Sequence, residues 1–568
     1  MKGERSAPAF PVRRHAWLPL ALLLGLTVLA YLPSLANGFI WDDDISLTQN
    51  PFIRSAEGLR QFWLTTETPD YWPVTATTLW AEWRLWGPDP LGYHVTNLAL
   101  HLGEVALLWA VLRRLRVPGA AVAALLFALH PVNVETVAWV TQRKNLMAML
   151  FFLASIYCFV RDEPKSRTGA WYGLSLLAFL LALLSKGSVA VLPLVLLGLI
   201  AFARRIGRRD VFRLLPFFLL AGVLTLVDVW FQGHHLAAAE TIRTAGPIER
   251  LLGAGAVVWF YLSKALLPIR LVLPYPLWRI EPGNLLWWLP LAGALGLTGI
   301  LWWKGRAKGW TRGALAAWGY FCVALIPVMG LTDVYFMKFS LVADHYQHLA
   351  LIGVTALAGA GWAEWRRRET GLLPPAALAL VVAVLGGLTW RQCLNYRDTE
   401  TFFGATLREN PGSAMAQGNL GMILASQRRN TEAMAHLEEA LRLDPNSAET
   451  QSNIGAILVG EGRLAEGVAH YEAALRIKPD LFVVHLNLGN ILLQQGRLPA
   501  AEGELRTAVR LKPTFAEAHG LLGDTLARLG RTSEAIEEYR AALRLKPDLL
   551  EVRAKLDRVQ IGRAEGGP

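Results

Sequence analysis

Cysteine is scarce, with only Cys158, Cys322 and Cys393 in a chain of 568 residues. They are odd in number and far apart, and the first two lie inside apolar runs, so neither a disulfide framework nor a cysteine metal site is encoded. Charge is scarce too, at 18% of residues against 53% hydrophobic, which excludes an ordinary soluble domain and a disordered chain alike. Acidic residues (45) are fewer than basic ones (56), for a net charge of +11. That surplus does not mark a nucleic-acid partner, because it is not gathered on one stripe or helix. It falls in short stretches between apolar runs: Arg113, Arg114 and Arg116; Arg161, Lys165 and Arg167; Arg204, Arg205, Arg208 and Arg209; Lys304, Arg306 and Lys308; and Arg366 to Arg368. This is the positive-inside distribution of a polytopic membrane protein. The first apolar run, HAWLPLALLLGLTVLAYLPSL after Arg13 and Arg14, has no clean small-residue cleavage site behind it and reads as a retained span.

What is present, up to about residue 392, is a succession of apolar runs, and from about 396 a stretch of charged helix formers. A span needs about 20 apolar residues. Candidates lie near 16–36, 95–112, 118–133, 145–160, 170–184, 187–203, 212–231, 285–303, 312–330, 346–362 and 372–391, eleven in all, with a weaker one at 251–268. With a cytoplasmic N-terminus, eleven crossings keep every cationic stretch on the cytoplasmic side, whereas a twelfth would put Lys304, Arg306 and Lys308 outside. The expectation is therefore about eleven transmembrane helices. The WDDD loop, HPVNVETVAWVTQRKN, residues 331–345 and the C-terminal domain are then extracytoplasmic.

The tail is a repeat. Pro445, Pro479, Pro513 and Pro547 are 34 residues apart, as are Gly421, Gly455, Gly489 and Gly523. Leu420, Ile454, Leu488 and Leu522 precede each glycine, and Ala440, Ala474, Ala508 and Ala542 keep one phase. A period of 34 with small residues where helices approach, and proline where the second helix stops, is that of the tetratricopeptide repeat. Gly467 stands where alanine is expected. The fold class is all-α: a polytopic membrane domain followed by a tetratricopeptide α-solenoid. Its parts are a cytoplasmic N-terminus (1–15), a membrane domain (16–395, first extracytoplasmic loop about 37–94), a connecting half repeat (396–413), four repeats (414–549) and a capping helix with tail (550–568).

FIWDDDISLTQNPFI places Asp42, Asp43 and Asp44 just after the first span. One such aspartate is an ordinary solvated anchor; three in a row call for more. In the second candidate span His94, Asn97 and His101 recur at i, i+3 and i+7, one face of a helix, and polar residues there face a wet cavity or a partner. Arg143 and Lys144 in TQRKN, Lys186 in LLSKGS, and Lys338, Asp344, His345, Tyr346 and His348 carry charge and polarity to the same membrane edge. Carboxylates opposite cations suit a phosphate and a hydroxyl brought together: cations hold the phosphate, and a carboxylate takes the hydroxyl proton.

In order, WDDD, PVTATTLW with RLWGPDPLGYHVTNLALH, HPVNVETVAWVTQRKN, LLSKGSVAVLPLVL and ADHYQHLALIG before the repeats resemble the transmembrane and tetratricopeptide repeat (TMTC-type) O-mannosyltransferases and their bacterial relatives. The resemblance covers nearly the whole chain. It implies a GT-C glycosyltransferase that inverts at the sugar, a polyprenyl-phosphate-linked sugar donor, and a catalytic acidic pair matching Asp42 and Asp43. It also implies that the Arg143 and Lys144 segment lies near the donor phosphate and that Asp344 with His345 lines the same cavity, to which the polar and charge pattern adds Lys186, His94 and His101. Asp44 has no counterpart that the family requires, and a divalent cation (Mg or Mn) on Asp42, Asp43 and Asp44 stays open as a cofactor. The implied partners are membrane lipids and a polypeptide acceptor held by the repeats. Abundant Ala, Leu, Arg and Gly point to a bacterial cytoplasmic membrane. A non-catalytic membrane scaffold is the alternative; a transporter would need an internal repeat across the spans, which is not found.

Overall fold

The computed structural model describes residues 17–68, 70–162, 169–235, 242–305 and 309–565. Arg13, Arg14, Lys165, Arg167, Arg306 and Lys308 lie outside them. The regular structure of the described residues is helical throughout. The chain divides into two compact units, residues 1–410 and 411–568.

The first unit is built from α1 (Trp17–Tyr31), α2 (Pro73–Trp86), α3 (Pro90–Arg114), α4 (Ala120–Ala128), α5 (Arg143–Arg161), α6 (Ala170–Leu183) and α7 (Leu192–Ala203). It continues through α8 (Arg208–His235), α9 (Pro247–Leu266), α10 (Trp288–Gly305), α11 (Trp310–Leu325), α12 (Leu351–Arg368), α13 (Leu373–Leu394) and α14 (Thr399–Glu409). Among the described residues seven helical segments are long and apolar enough to cross a bilayer, and a bent pair makes an eighth if it is one span. The bend, 51° between Ala120–Ala128 and Pro131–Ala138, falls inside the run expected as one span at 118–133. Pro131 supplies the reason, since it has no N–H to continue the helix and its ring clashes with the preceding turn. Reaching eleven requires the shorter apolar helices α6 and α7, and α12, to cross as well.

The weak candidate at 251–268 forms α9, which runs along one end of the bundle. Near its start Arg250 binds Asp333 at 2.6 and 2.8 Å. In its middle Trp259 Nε1 donates to Pro290 O (2.8 Å) in the first turn of α10, and Tyr261 Oη donates to Ala343 O (3.2 Å). Near its finish Ala265 O meets His130 Nε2 at 3.1 Å. All these partners belong to segments at the same end, so a helix of about 30 Å stays there from start to finish.

Phe127, Phe152, Phe179, Phe217 and Phe321 form the fully buried centre of the unit. Small residues set its closest approach: a Cβ on Gly359 would lie 2.8 Å from Ala123 Cβ, and one on Gly119 2.1 Å from Gly359 O, so α4 and α12 touch backbone to backbone.

The second unit pairs Ala414–Ser426 with Asn430–Leu443, Ala448–Gly460 with Leu464–Ile477, Phe482–Gln494 with Leu498–Leu511, and Ala516–Arg528 with Thr532–Leu545, and closes with Leu550–Glu565. The periodic glycines sit where each pair is tightest. A Cβ would come within 2.7 Å of Leu437 at Gly421, 2.9 Å of Tyr471 at Gly455, 2.5 Å of Leu505 at Gly489 and 2.7 Å of Tyr539 at Gly523. Gly467 has the same cause, with Val459 Cγ2 at 2.6 Å from where a Cβ would stand.

Candidate active site at one end of the membrane unit

The loop after α1 delivers Asp42 and Asp43 to a segment almost a hundred residues away. Thr141 holds both: its main-chain N–H donates to Asp43 Oδ1 (2.9 Å) and its hydroxyl to Asp42 Oδ1 (3.0 Å). Ile40 N–H donates to Asp43 Oδ2 (3.0 Å), so both oxygens of that buried carboxylate are fixed by the backbone. Asp42 is half-buried. Burial, and then the neighbouring Asp42, pushes Asp43 up to about 8. Burial also raises Asp42, against the nearby charge of Lys144. Asp44 turns outward, exposed, and accepts from Thr48 Oγ1 at 2.8 Å. The three aspartates thus do not converge, and among the described residues no group of three or more His, Cys, Asp or Glu side chains is placed to hold a metal ion.

Aromatic rings frame the pair. Trp41 stacks on Trp139 at 5.3 Å, and Phe402 and Phe403 of α14 meet Trp139 and Trp41 at 6.4 and 6.2 Å. Hydrogen bonds fix α14 there, with Gly38 N–H on Arg397 O (2.8 Å) and Thr406 Oγ1 on Leu273 O (2.9 Å).

A second cluster lies beside the first. Lys144 sits over the Trp72 ring at 4.8 Å, and Lys186 donates to Asn145 Oδ1 at 2.5 Å. Burial, then Lys144, pushes Lys186 down to about 7, opposed by Glu135 and Asp70. Lys186, Asn145, Ser188, His345 and Tyr346 line one pocket. Behind them Glu135 is hydrogen-bonded to His345 Nδ1 and accepts the Asp344 N–H at 3.1 Å. Asp344 accepts from Tyr275 Oη at 2.8 Å. Burial, and then Glu135, holds the Asp344 carboxyl well above its usual range. Burial, and then Lys186 and Lys144, keeps His345 well below its own.

The remaining expected residues serve the protein interior. Arg143 is fully buried, bonded to Glu82, to Asn97 Oδ1 (2.9 Å) and to Tyr93 O (3.0 Å). Asn97 in turn faces the carbonyls of Val137, Trp139 and Val140, so this pair shapes the strap carrying Thr141. His94 is buried against the Asn37–Gly38 backbone. His101 Nδ1 meets Glu104 Oε2 at 3.1 Å, and His348 lies between Glu104 Oε1 (3.2 Å) and Asn133 Oδ1 (2.8 Å). Asn97 and His101 therefore meet protein partners, whereas both ring nitrogens of the buried His94 have no hydrogen-bond partner among the described residues. Thr141, Glu135 and Glu104 are the polar residues that reading the sequence missed. For Glu135 and Glu104 a signal existed, since a lone carboxylate in an apolar run is a site pointer by default; for Thr141 there was none.

A polytopic membrane unit with a paired-carboxylate site, joined to a tetratricopeptide array, defines the class of protein. Residues 70–231 match the family model of dolichyl-phosphate-mannose-protein mannosyltransferases, a stretch containing Glu135, Thr141, Lys144 and Lys186 and starting after Asp43. Tetratricopeptide models match 395–448, 457–496 and 486–549. Curated relatives include Protein O-mannosyl-transferase F38B6.6 of Caenorhabditis elegans (22% identical over 76% of this chain and 63% of the relative) and Tmtc1 of Drosophila melanogaster (26%, 74% and 61%). TMTC3 of Homo sapiens is 22% identical over 74% of this chain and 51% of its own length. The chain is similar to these transmembrane and tetratricopeptide repeat proteins over about three-quarters of its length, and spans half to just under two-thirds of theirs. Among solved structures, MamA (41-end) from Desulfovibrio magneticus RS-1 is 23% identical over 26% of this chain and 84% of its own, with a TM-score of 0.25.

Proposed function

We propose that this chain is a membrane glycosyltransferase of the GT-C type. It transfers a sugar, mannose first among them, from a polyprenyl-phosphate donor to a Ser or Thr hydroxyl of a polypeptide presented by the repeats. The observation that carries the reading is the carboxylate pair bridged by Thr141 beside the Lys144 and Lys186 cluster. Asp42, the more accessible of the two, takes the acceptor proton. The hydroxyl oxygen bonds to the anomeric carbon from the face opposite the leaving group, and the bond from that carbon to the phosphate oxygen breaks with inversion. The lipid phosphate leaves with the electron pair, its charge met by Lys144 and Lys186. Asp43, held by two main-chain N–H groups, keeps the loop in register. In this reading, which takes eleven crossings and a cytoplasmic N-terminus, the site and the repeats lie on the extracytoplasmic face of a bacterial cytoplasmic membrane.

The relatives named as protein O-mannosyl-transferases support the reaction class. The test is transfer by the purified chain from undecaprenyl-phosphate mannose or glucose to envelope protein, read as glycopeptides by mass spectrometry. Asp42→Asn is expected to lower the rate at least about 100-fold, the usual scale of general-base removal. Unchanged transfer by a well-folded variant would sink the mechanism.

A further inference from the structure

Away from the aspartates, α3, α5, α7, α11 and α12 line an open apolar groove of about 1760 Å³. Along α12 it runs from Ile352 to Arg368, about 24 Å at the rise of an α-helix. Its walls are bare by composition: Gly198, Gly313 and Gly319 line it, and a Cβ on any of them would meet nothing within 4 Å. Its charged lining lies at the finish of α12 and α3 and the start of α11. Arg116, Arg312, Arg367 and Arg368 are there with one carboxylate, Glu364. Glu364 is already bound by Arg367 (2.8 Å) and Arg368 (2.7 Å), whereas among the described residues Arg116 and Arg312 have no ion-pair partner. Arg312 is held in place by the Phe202 carbonyl (2.5 Å) and lies over the Phe202 ring at 5.0 Å.

An apolar slot of this length with uncompensated guanidinium groups at one end matches a molecule with an anionic head and long hydrocarbon chains. We infer that it binds one anionic phospholipid, its phosphate at Arg116 and Arg312 and its chains along Gly198 and Gly319. Guanidinium groups present paired donors to phosphate oxygens, and the arginine-free upper wall suits hydrocarbon. The groove's arginine end lies at the other end of α12 from His345 and Leu349, and the inference does not depend on the transferase reading.

The full chain, delipidated in detergent, is titrated with phosphatidylglycerol or phosphatidylcholine and bound lipid counted by native mass spectrometry. One phosphatidylglycerol is expected to bind more tightly than phosphatidylcholine. Arg116→Gln with Arg312→Gln should weaken it roughly tenfold, by the loss of two cations near a phosphate. Gly319→Phe, built into open space, should remove it while the protein stays monodisperse. Arg205→Gln with Arg209→Gln, exposed and outside the groove, should leave it unchanged. Equal binding of both lipids, full binding by Gly319→Phe, or equal loss in the Arg205 and Arg209 variant would overturn the inference. So would retention of a polyprenyl phosphate in place of the phospholipid.

Discussion

Lys144 is the residue through which the two halves of the site communicate. Its charge opposes the burial that raises Asp42, and the same charge depresses Lys186 and His345. Removing it should therefore raise the Asp42 pKa further. If Asp42 must be ionised to accept a proton, activity is lost as pH falls through that pKa, so Lys144→Gln should move the acidic limb of kcat/KM to higher pH, with rate recovered above it. A pH series with both proteins decides the matter: a raised donor KM with an unmoved limb would reduce Lys144 to a phosphate contact. Arg143 teaches the converse lesson. Adjacent in sequence and identical in charge, it points inward to Glu82, a buried pair whose worth lies in holding the strap.

Each repeat in the second unit turns from its first helix to its second through one residue with positive φ. Gly462, Gly496 and Gly530 supply it at φ of 80°, 76° and 79°, and the equivalent position in the first repeat is Arg428 at 63°. A side chain there is strained by roughly 1 kcal/mol, and Arg428 is exposed. Arg428→Gly should accordingly slow amide exchange in Ala414–Leu443 of the full chain by up to about fivefold; faster exchange would show that the arginine contributes more than its backbone costs. The repeats also share a polar pair linking the two helices. Gln417 with His436 and Gln451 with His470 become His485 with Glu504 and His519 with Glu538, each at 2.6 Å. The partners exchange helices halfway along the array and the contact survives.

For the whole molecule the decisive quantity is the number of crossings. Eleven crossings, six of them before Arg205, with a cytoplasmic N-terminus put the exposed positions Arg205 and Asn446 on opposite sides. In intact cells Asn446→Cys should react with a membrane-impermeant maleimide and Arg205→Cys should not, until the membrane is opened. Labelling of both would overturn the eleven-crossing order of the spans, and labelling of Arg205→Cys alone would overturn the extracytoplasmic repeats as well. The position of α9 bears on that count, because a twenty-residue helix that stays at one end of the bundle adds no crossing.

Local patterns were enough for the membrane class and the 34-residue repeat, and they singled out the WDDD loop as the candidate site. Hydropathy, small-residue periodicity and charge at a span's end are all properties of neighbouring residues, and each is repeated often enough to be read without knowing the fold. Which faces meet is not local. Thr141 reaches the aspartates across 98 residues, and Glu135 reaches His345 across 210. No periodicity relates those positions. Their meeting is set by how apolar helices pack through contacts such as Gly119 with Gly359, and by the demand that each polar group carried into that interior find a partner there. Packing alone turned Arg143 inward and left Lys144 beside the aspartates, from a sequence in which the two are indistinguishable.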